Sequence, residues 1–187
     1  MNMKYLLTAI TLACTPFVVF SADNLVVNGD FEKVNREGLP VGWEISHFNY
    51  LDQNNTRVLL MNDGDFNYLH VRKNSSATVN LGTQVVDLPD GATSLQMRIR
   101  MSGKNVVAGD QHWMVPGLGI SFSFPDGSSR PGIMSNWIYL PTGDSPWDEY
   151  ESVMPIRENA VKATVSIIGH GWTGEANFAD IRVEAIH

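Results

Sequence analysis

The feature that most constrains this chain is a strict two-residue alternation of apolar and polar side chains. The best example is the segment LQMRIRM at 95–101, in which apolar residues occupy every second position. Side chains of a β-strand point alternately to opposite faces, so this pattern predicts a strand with one face in a core and the other in solvent. No segment sustains the three-to-four-residue apolar spacing of an amphipathic helix. The chain is therefore predicted to be all-β.

The same alternation divides most of the chain into short strands. It recurs at 118–124, 161–167 and 179–185, and turn-forming pairs such as Asn28-Gly29 and Asp63-Gly64 separate the segments. About ten one-faced strands without an internal repeat predict a single domain of two antiparallel sheets packed as a β-sandwich, with jelly-roll topology. The shorter predicted strands are 25–27, 43–48, 57–61, 67–72, 77–81, 83–88, 135–140 and 150–154.

The N-terminal segment is predicted to be a secretory signal peptide, because a short basic region and an apolar run precede small residues. Cleavage is expected after Ser21, since cleavage after Ala22 would leave the bulky Phe20 where a small residue is required. Lipid attachment at Cys14 is the alternative, but the residues before this Cys match a lipidation site poorly. The expected location is secreted or periplasmic.

The composition of the predicted mature domain, residues 22–187, limits its chemistry and its partners. Its about 165 residues suffice for one core, and the only Cys lies in the leader, which excludes disulfides. Loss of Lys4 takes the formal charge from −7 to −8, which argues against nucleic acids and anionic membranes as partners. No other segment approaches the ~20 apolar residues of a membrane helix. A monomer is expected.

Two motifs near the start of the predicted domain resemble a known group. NLVVNGDFE at 24–32 and GLPVGWEI at 38–45 are similar to the opening segments of jelly-roll carbohydrate-binding modules of families four, nine and twenty-two. The resemblance extends to Trp147–Tyr150, to the Pro-led segment 154–167 and to a terminal Phe-x-Asp-Ile-x-Val at Phe178–Val183. It implies a galactose-binding-domain-like sandwich that binds a polysaccharide or oligosaccharide.

The large aromatic residues of these motifs are predicted to be structural. Phe31, Trp43 and Trp147 are assigned to the core, where a large ring contributes most to packing. The Asn28-Gly29 pair is predicted to form a tight turn, because glycine tolerates the positive φ that such turns require.

The resemblance also implies a structural calcium ion between the N-terminal segment and the last strand. It maps the ligands onto the backbone carbonyl of Asp30 and the carboxylates of Glu32 and Asp180. Calcium takes several hard oxygen ligands, which agrees with this set, and further ligands are expected from the oxygen-rich loop 62–67. The alternative is a solvated turn with Glu32 simply exposed.

Candidate sugar-binding residues are aromatic side chains outside the core alternation, together with nearby planar polar groups, because sugars are bound by this combination. Trp172 lies in the Gly-rich segment 169–174 and is predicted to be exposed. The polar face of 95–101 is predicted to floor a groove together with Gly119 and Ser121. Burial of these aromatic residues, and a solvated edge for the arginines, are the alternatives. The predicted ligand-binding residues are Trp172, Trp113, Tyr139, Trp137, Arg98, His112 and Gln96.

Three functions remain open at this level. The first is a secreted, non-catalytic glycan-binding module; the second is a small polysaccharide hydrolase or lyase, with Asp110 and His112 as the best acid–base pair and His170 as a possible base. The third is an adhesion or protein-interaction module. The negative charge disfavours acidic glycans, although Arg98, Arg100 and Arg130 could create local positive potential. A metal site could be formed from His47, His70, His112 and His170, but their spacing does not support it.

Overall fold

The computed structural model describes residues 23–46 and 56–187. The predicted leader, its Cys14 and His47 lie outside these residues. Within the described part, no helix is long and apolar enough to cross a membrane. The described residues form a short 3-10 helix (Met134–Asn136) and the strands β1 (Thr56–Asn62), β2 (Asn67–Lys73), β3 (Thr83–Asp87), β4 (Ser94–Val107), β5 (Gly117–Ser123), β6 (Ser129–Pro131), β7 (Ile138–Tyr139), β8 (Gly143–Pro155), β9 (Lys162–Ile167) and β10 (Thr173–Ile186).

The strands form two antiparallel sheets. The front sheet has the order β1-β2-β10-β4-β8, and the back sheet has the order β3-β9-β5-β6, with β7 also paired to β5. β10 pairs with β2 on one side and with β4 on the other, so strands distant in the sequence are neighbours in the front sheet. The predicted all-β sandwich of two antiparallel sheets is confirmed.

The core lies between the two sheets and follows the predicted alternation. The four apolar residues of 95–101 are fully buried on β4, and the back sheet faces them with Leu118, Ile120 and Phe122 of β5. Phe31 and Trp43 are also buried, with ring centroids 5.6 Å apart, and the Trp43 indole nitrogen donates a hydrogen bond to the carbonyl of Asn28. Their predicted place in the core is confirmed.

A β-bulge in β10 changes which residues face the core. Ala176 and Phe178 are buried on the N-terminal side of the bulge, and Ile181, Val183 and Ala185 are buried on its C-terminal side. The pairing with β4 shifts between Ala179 and Arg182, and Asp180 has a left-handed φ of 50°. The sequence predicted one continuous alternation from 179 to 185; its apolar residues Ala179, Ile181, Val183 and Ala185 are all buried, but the bulge itself was not predicted.

Three predicted strands do not form within the described residues. The segments 25–27, 43–46 and 77–81 contribute buried side chains such as Val26 and Leu81, but at most isolated bridges link their backbones to strands. Their backbone groups are bonded singly, as between the Leu25 nitrogen and the Val183 carbonyl at 2.8 Å. Apolar side chains alone therefore do not make a strand where no partner continues the ladder.

The Asn28-Gly29 turn is built differently from the prediction. Asn28 and Phe31, rather than Gly29, have left-handed φ values of 56° and 57°. A Cβ atom at Gly29 would overlap the carbonyl oxygen of Ile181, and the Ile181 nitrogen donates a 3.0 Å hydrogen bond to the Gly29 carbonyl. Glycine is required here because two backbones meet. This contact ties the N-terminal segment to β10.

Candidate functional site

The predicted ligand-binding residues do not form one site. Gln96 and Arg98 lie on the outer face of the front sheet, whereas Trp137 lies against Gly119 on the outer face of the back sheet. The predicted groove between the polar face of 95–101 and the small residues of 118–124 is therefore wrong, because the two strands belong to different sheets whose outer faces point in opposite directions.

Trp172 is fully buried, so its predicted exposure is wrong. Its indole nitrogen donates a 2.9 Å hydrogen bond to the carbonyl of Ile168, and the ammonium of Lys73 lies 5.6 Å from the ring centroid. The glycines around it bring two loops together, since a Cβ at Gly109 would overlap the carbonyl of Gly171. Trp172 is covered by this contact and offers no face to a ligand.

Trp113, His112 and Tyr139 line a cleft of about 800 Å³ beside the back sheet. The Trp113 ring makes an edge contact with His170, at 5.7 Å between centroids, and the Tyr139 hydroxyl donates a hydrogen bond to the carbonyl of Met134. Burial raises the pKa of Tyr139. Burial, and then the charge of Lys73, lower the pKa of His170. The other lining residues are Ala108, Val115, Met134, Ser135, Leu140, Pro141 and Thr142.

The outer face of the front sheet carries three clustered aromatic rings: Phe66, Tyr68 and Trp147, here called the front aromatic cluster. Trp147 makes edge contacts with the other two, at centroid distances of 5.2 and 5.4 Å, and all three side chains are half-buried. The prediction that Trp147 belongs to the core is wrong. The guanidinium carbon of Arg100 lies 4.1 Å from the Phe66 centroid, and Arg100 also forms a 3.1 Å ion pair with Asp180.

Fixed polar groups lie beside this cluster on the same face. His70, Asn177 and Ser102 are register partners across β2, β10 and β4. The His70 Nδ1 and the Asn177 side-chain oxygen are 2.8 Å apart, and the Asn177 amide nitrogen donates to the Ser102 hydroxyl at 2.8 Å. Arg98 lies 3.5 Å from Glu151 in the neighbouring row. Planar hydrogen-bonding groups thus border the aromatic rings.

Most residues of this face were not predicted from the sequence to bind a ligand. Tyr68 and His70 alternate with buried Leu69 and Val71 on the predicted strand 67–72, so an aromatic ring on the polar side of a one-faced strand was the signal available. Phe66 was not a candidate, because its loop was predicted only to supply oxygen ligands to calcium. This loop does lie near the N-terminal segment, since the Asn67 amide is 3.4 Å from the Phe31 carbonyl.

The implied calcium ligands fit only in part. Asp30 and Asp180 line one polar cavity of about 340 Å³ together with Asp23 and Glu184, but Glu32 does not line it. The Asp180 carboxylate already accepts a hydrogen bond from Arg100. Among the residues described, no three His, Cys, Asp or Glu side chains form a metal-binding group. Calcium stays a prediction for Asp30 and Asp180, whose oxygens are the type calcium takes.

Comparison with known proteins identifies the fold. No protein-family model and no curated protein matches the chain. Among solved structures, it is similar to a family 4 carbohydrate-binding module (TM-score 0.55, 12% identity, 86% of this chain and 99% of that one). It is also similar to a protein of Bacteroides thetaiotaomicron that has been assigned as sugar-binding (TM-score 0.55, 13% identity, 88% of this chain and 100% of that one).

A third similar structure is the enzymatically active domain of a tailspike protein of bacteriophage CBA120. The TM-score is 0.57 at 16% identity, over 87% of this chain, but this chain spans only 21% of the tailspike domain. At such identities the likeness establishes the β-sandwich fold shared with carbohydrate-binding modules. Function has to be argued from the residues of this chain.

Proposed function

We propose that this chain, which has the sandwich fold of carbohydrate-binding modules, binds a polysaccharide or oligosaccharide on the outer face of its front sheet. The observation that carries the proposal is the front aromatic cluster, which lies on the solvent side of a sheet beside fixed polar groups. The C–H face of a pyranose packs against an aromatic ring, while its hydroxyls hydrogen-bond to planar polar side chains. Both kinds of group are adjacent here.

The cleft beside the back sheet is less suited to a glycan chain, although it is larger than the other cavities described. Most of its lining side chains are apolar. Each sugar residue has several hydroxyls that lose their hydrogen bonds to water on binding, and every one left unpaired weakens binding. The front sheet supplies imidazole, amide, hydroxyl and guanidinium groups for them.

We further propose that the module is non-catalytic, monomeric, and secreted or periplasmic. Catalysis of glycoside hydrolysis requires two carboxylates about 5–9 Å apart, one of which transfers a proton. On the front sheet, Glu151 and Asp180 are each held in an ion pair with an arginine rather than placed together as such a couple. An assay for reducing ends and unsaturated products on any bound polymer tests this point, and release of either product would support the hydrolase or lyase alternative.

The site is tested by affinity electrophoresis through gels that contain single polysaccharides. We expect Trp147→Ala and Tyr68→Ala to lose most of the retardation shown by the wild-type protein, by about fivefold in affinity or more, because one stacked ring contributes on the order of 1 kcal/mol or more. Trp113→Ala, which removes an aromatic ring from the cleft, is the control and should be retarded normally. Loss of retardation in Trp113→Ala alone would move the site to the cleft.

A further inference from the structure

The outer face of the front sheet differs in charge from the rest of the molecule. The whole chain has 13 Lys and Arg residues against 20 Asp and Glu residues. This face alone has six of those 13 cations, against four Glu residues, Asp180 at the bulge and Asp144 on β8. The cations are Arg57, Arg72, Arg98, Arg100, Lys104 and Arg182; the glutamates are Glu149, Glu151, Glu175 and Glu184. Nearly half of the cations of an acidic protein therefore lie on one face, which carries as many cations as carboxylates, whereas the whole chain has seven more carboxylates than cations.

Within the described residues, two of these cations are placed against each other without an acidic ion-pair partner; Arg98 and Arg182 are also register partners, but Arg98 is paired with Glu151. Arg57 on β1 and Arg72 on β2 are direct register partners, and both side chains are exposed. Side chains of directly opposed residues on an antiparallel pair are about 4.5–5.5 Å apart at Cβ, and like charges in these positions destabilise the sheet. The pair therefore weakens the fold unless an anion binds there.

The charged residues that lie in register with Arg57 and Arg72 on the neighbouring strands, here called the row, do not neutralise the pair. Glu175 on β10 is the register partner of both Arg72 and Lys104, so one carboxylate faces three cations in the row. In the part of the chain that the structure describes, neither Arg57 nor Arg72 forms an ion pair with a carboxylate. Arg98 and Arg100, in contrast, each have an acidic partner.

The arginine pair and the front aromatic cluster lie on one face and are joined by a single strand. Arg72 and Tyr68 are four residues apart on β2, which corresponds to roughly 13 Å along the strand, and His70 lies between them on the same face. A ligand of a few sugar residues spans this distance. One sugar can pack on the aromatic rings while a neighbouring one reaches the arginines.

Resting on the proposed function, we infer that the glycan is anionic and that Arg57 and Arg72 bind its carboxylate or sulfate groups. Guanidinium groups bind planar carboxylates and sulfate oxygens through paired, charge-assisted hydrogen bonds. This assignment opposes the expectation from net charge, because the local arrangement of charges rather than their sum determines what this face attracts.

The test uses polymers that share a backbone and differ in charge: polygalacturonate and its methyl ester for carboxylates, and laminarin with and without sulfation for sulfates. The double variant Arg57→Gln/Arg72→Gln is compared with Arg130→Gln/Lys162→Gln, which removes two cations from the back sheet and changes the net charge equally. Thermal unfolding checks that each variant folds; the first double variant should be at least as stable as the wild type, since a like-charge pair is removed.

We expect the wild type to bind one anionic polymer more tightly than its neutral counterpart, with affinity that falls as salt is added. The Arg57/Arg72 variant should bind it at least about tenfold more weakly, and the back-sheet variant should bind it normally. The polymer pair that responds identifies the anion as carboxylate or sulfate.

Two results would overturn the inference. Equal binding of a neutral polymer and its charged counterpart, unaffected by the Arg57/Arg72 substitutions, would leave the proposed glycan site intact and reject its anion specificity. The glycan site would be rejected together with the inference if the protein bound no polymer in either pair or in a broader neutral panel. The same conclusion would follow if both double variants weakened binding of the anionic polymer equally and Trp147→Ala did not weaken it.

Discussion

Two tryptophans show how residue position depends on long-range contacts. Trp172 lies in a Gly-rich segment but is buried, because that segment closes against the loop at Gly109. Trp147 lies in a motif associated with core residues but faces outward beside Tyr68. Neither outcome follows from neighbouring residues in the sequence, since each depends on an element more than 60 positions away. The sequence identified aromatic residues as candidates, but the structure determines which of them meet solvent.

One prediction at the residue scale concerns His170 and acid stability. Burial and the charge of Lys73 lower its pKa in the folded protein below the 6.5 of an unperturbed imidazole. The unfolded chain therefore takes up a proton at higher pH than the folded one, so this histidine's contribution to stability is complete above about pH 6.5 and is lost as the pH falls through the lower, folded-state pKa.

His170→Gln should make the free energy of unfolding less dependent on pH in this window. The measurement is urea denaturation of wild type and variant from about pH 5 to 8. The two proteins are compared by how steeply the free energy of unfolding changes with pH, rather than by its absolute value, because the substitution also removes the ring contact with Trp113. The same slope in both proteins would contradict the prediction.

At the scale of single elements, alternation predicted strands well where a strand pairs on both sides. The segments 95–101 and 161–167 correspond to β4 and β9, and both have partners on either side. The prediction failed where the ladder is interrupted: at 77–81, which contributes core residues without a continuous partner, and at 135–140, which the short 3-10 helix shortens to β7. The bulge at Asp180 was also missed, because a change in alternation becomes evident only against the neighbouring strand.

A second prediction concerns the contact between the N-terminal segment and β10. Gly29→Ala places a methyl group against the Ile181 carbonyl and should weaken the hydrogen bond between the two backbones. We expect a loss of about 1–3 kcal/mol in the free energy of unfolding, the usual range for added atoms in a packed site. Urea denaturation measures this loss.

Gly38→Ala is the matched control for this substitution. Its Cβ would meet no atom within 4 Å, so only the strain of its left-handed φ of 80° remains, roughly 1 kcal/mol. If the two substitutions are equally destabilising, close packing against Ile181 is not the reason for glycine at position 29.

At the scale of the whole molecule, the two ends of the described domain are held together. Hydrogen bonds link Leu25 to Val183 and Gly29 to Ile181, and the side chain of Asn24 accepts one from the Val183 nitrogen at 2.9 Å. The fold class and the core were predictable because they follow from alternation. The arrangement of ligand-binding residues was not predictable, because it depends on which strands become neighbours and on the direction in which the outer face of each sheet points.

A third prediction, at the same scale, tests calcium. We propose that Ca²⁺ binds between Asp30 and Asp180 and stabilises the junction of the two ends. A ligand specific to the folded state at about 100 times its Kd adds about 2.7 kcal/mol, so calcium should raise the melting temperature by several degrees and a chelator should reverse the rise.

Asp180→Asn should reduce this response, because it removes a carboxylate while asparagine tolerates the left-handed φ at this position. Asp90→Asn, in an exposed turn outside the cavity, should respond to calcium like the wild type. An unchanged melting temperature of the wild type on addition of calcium would exclude a structural ion at this junction.

The position of β8 at one edge of the front sheet has a consequence for how copies of this molecule behave toward one another. Within residues 23–46 and 56–187, β8 pairs only with β4, so the other side of this 13-residue strand offers its backbone to the same strand of another copy. Here the strand also carries Asp144, Asp148, Glu149 and Glu151, whose charges repel a second such edge, and Asn136 donates a hydrogen bond to the Val153 carbonyl. Replacing these carboxylates by amides removes that repulsion, so the substituted protein should associate by edge-to-edge pairing along β8 while the sandwich is still folded.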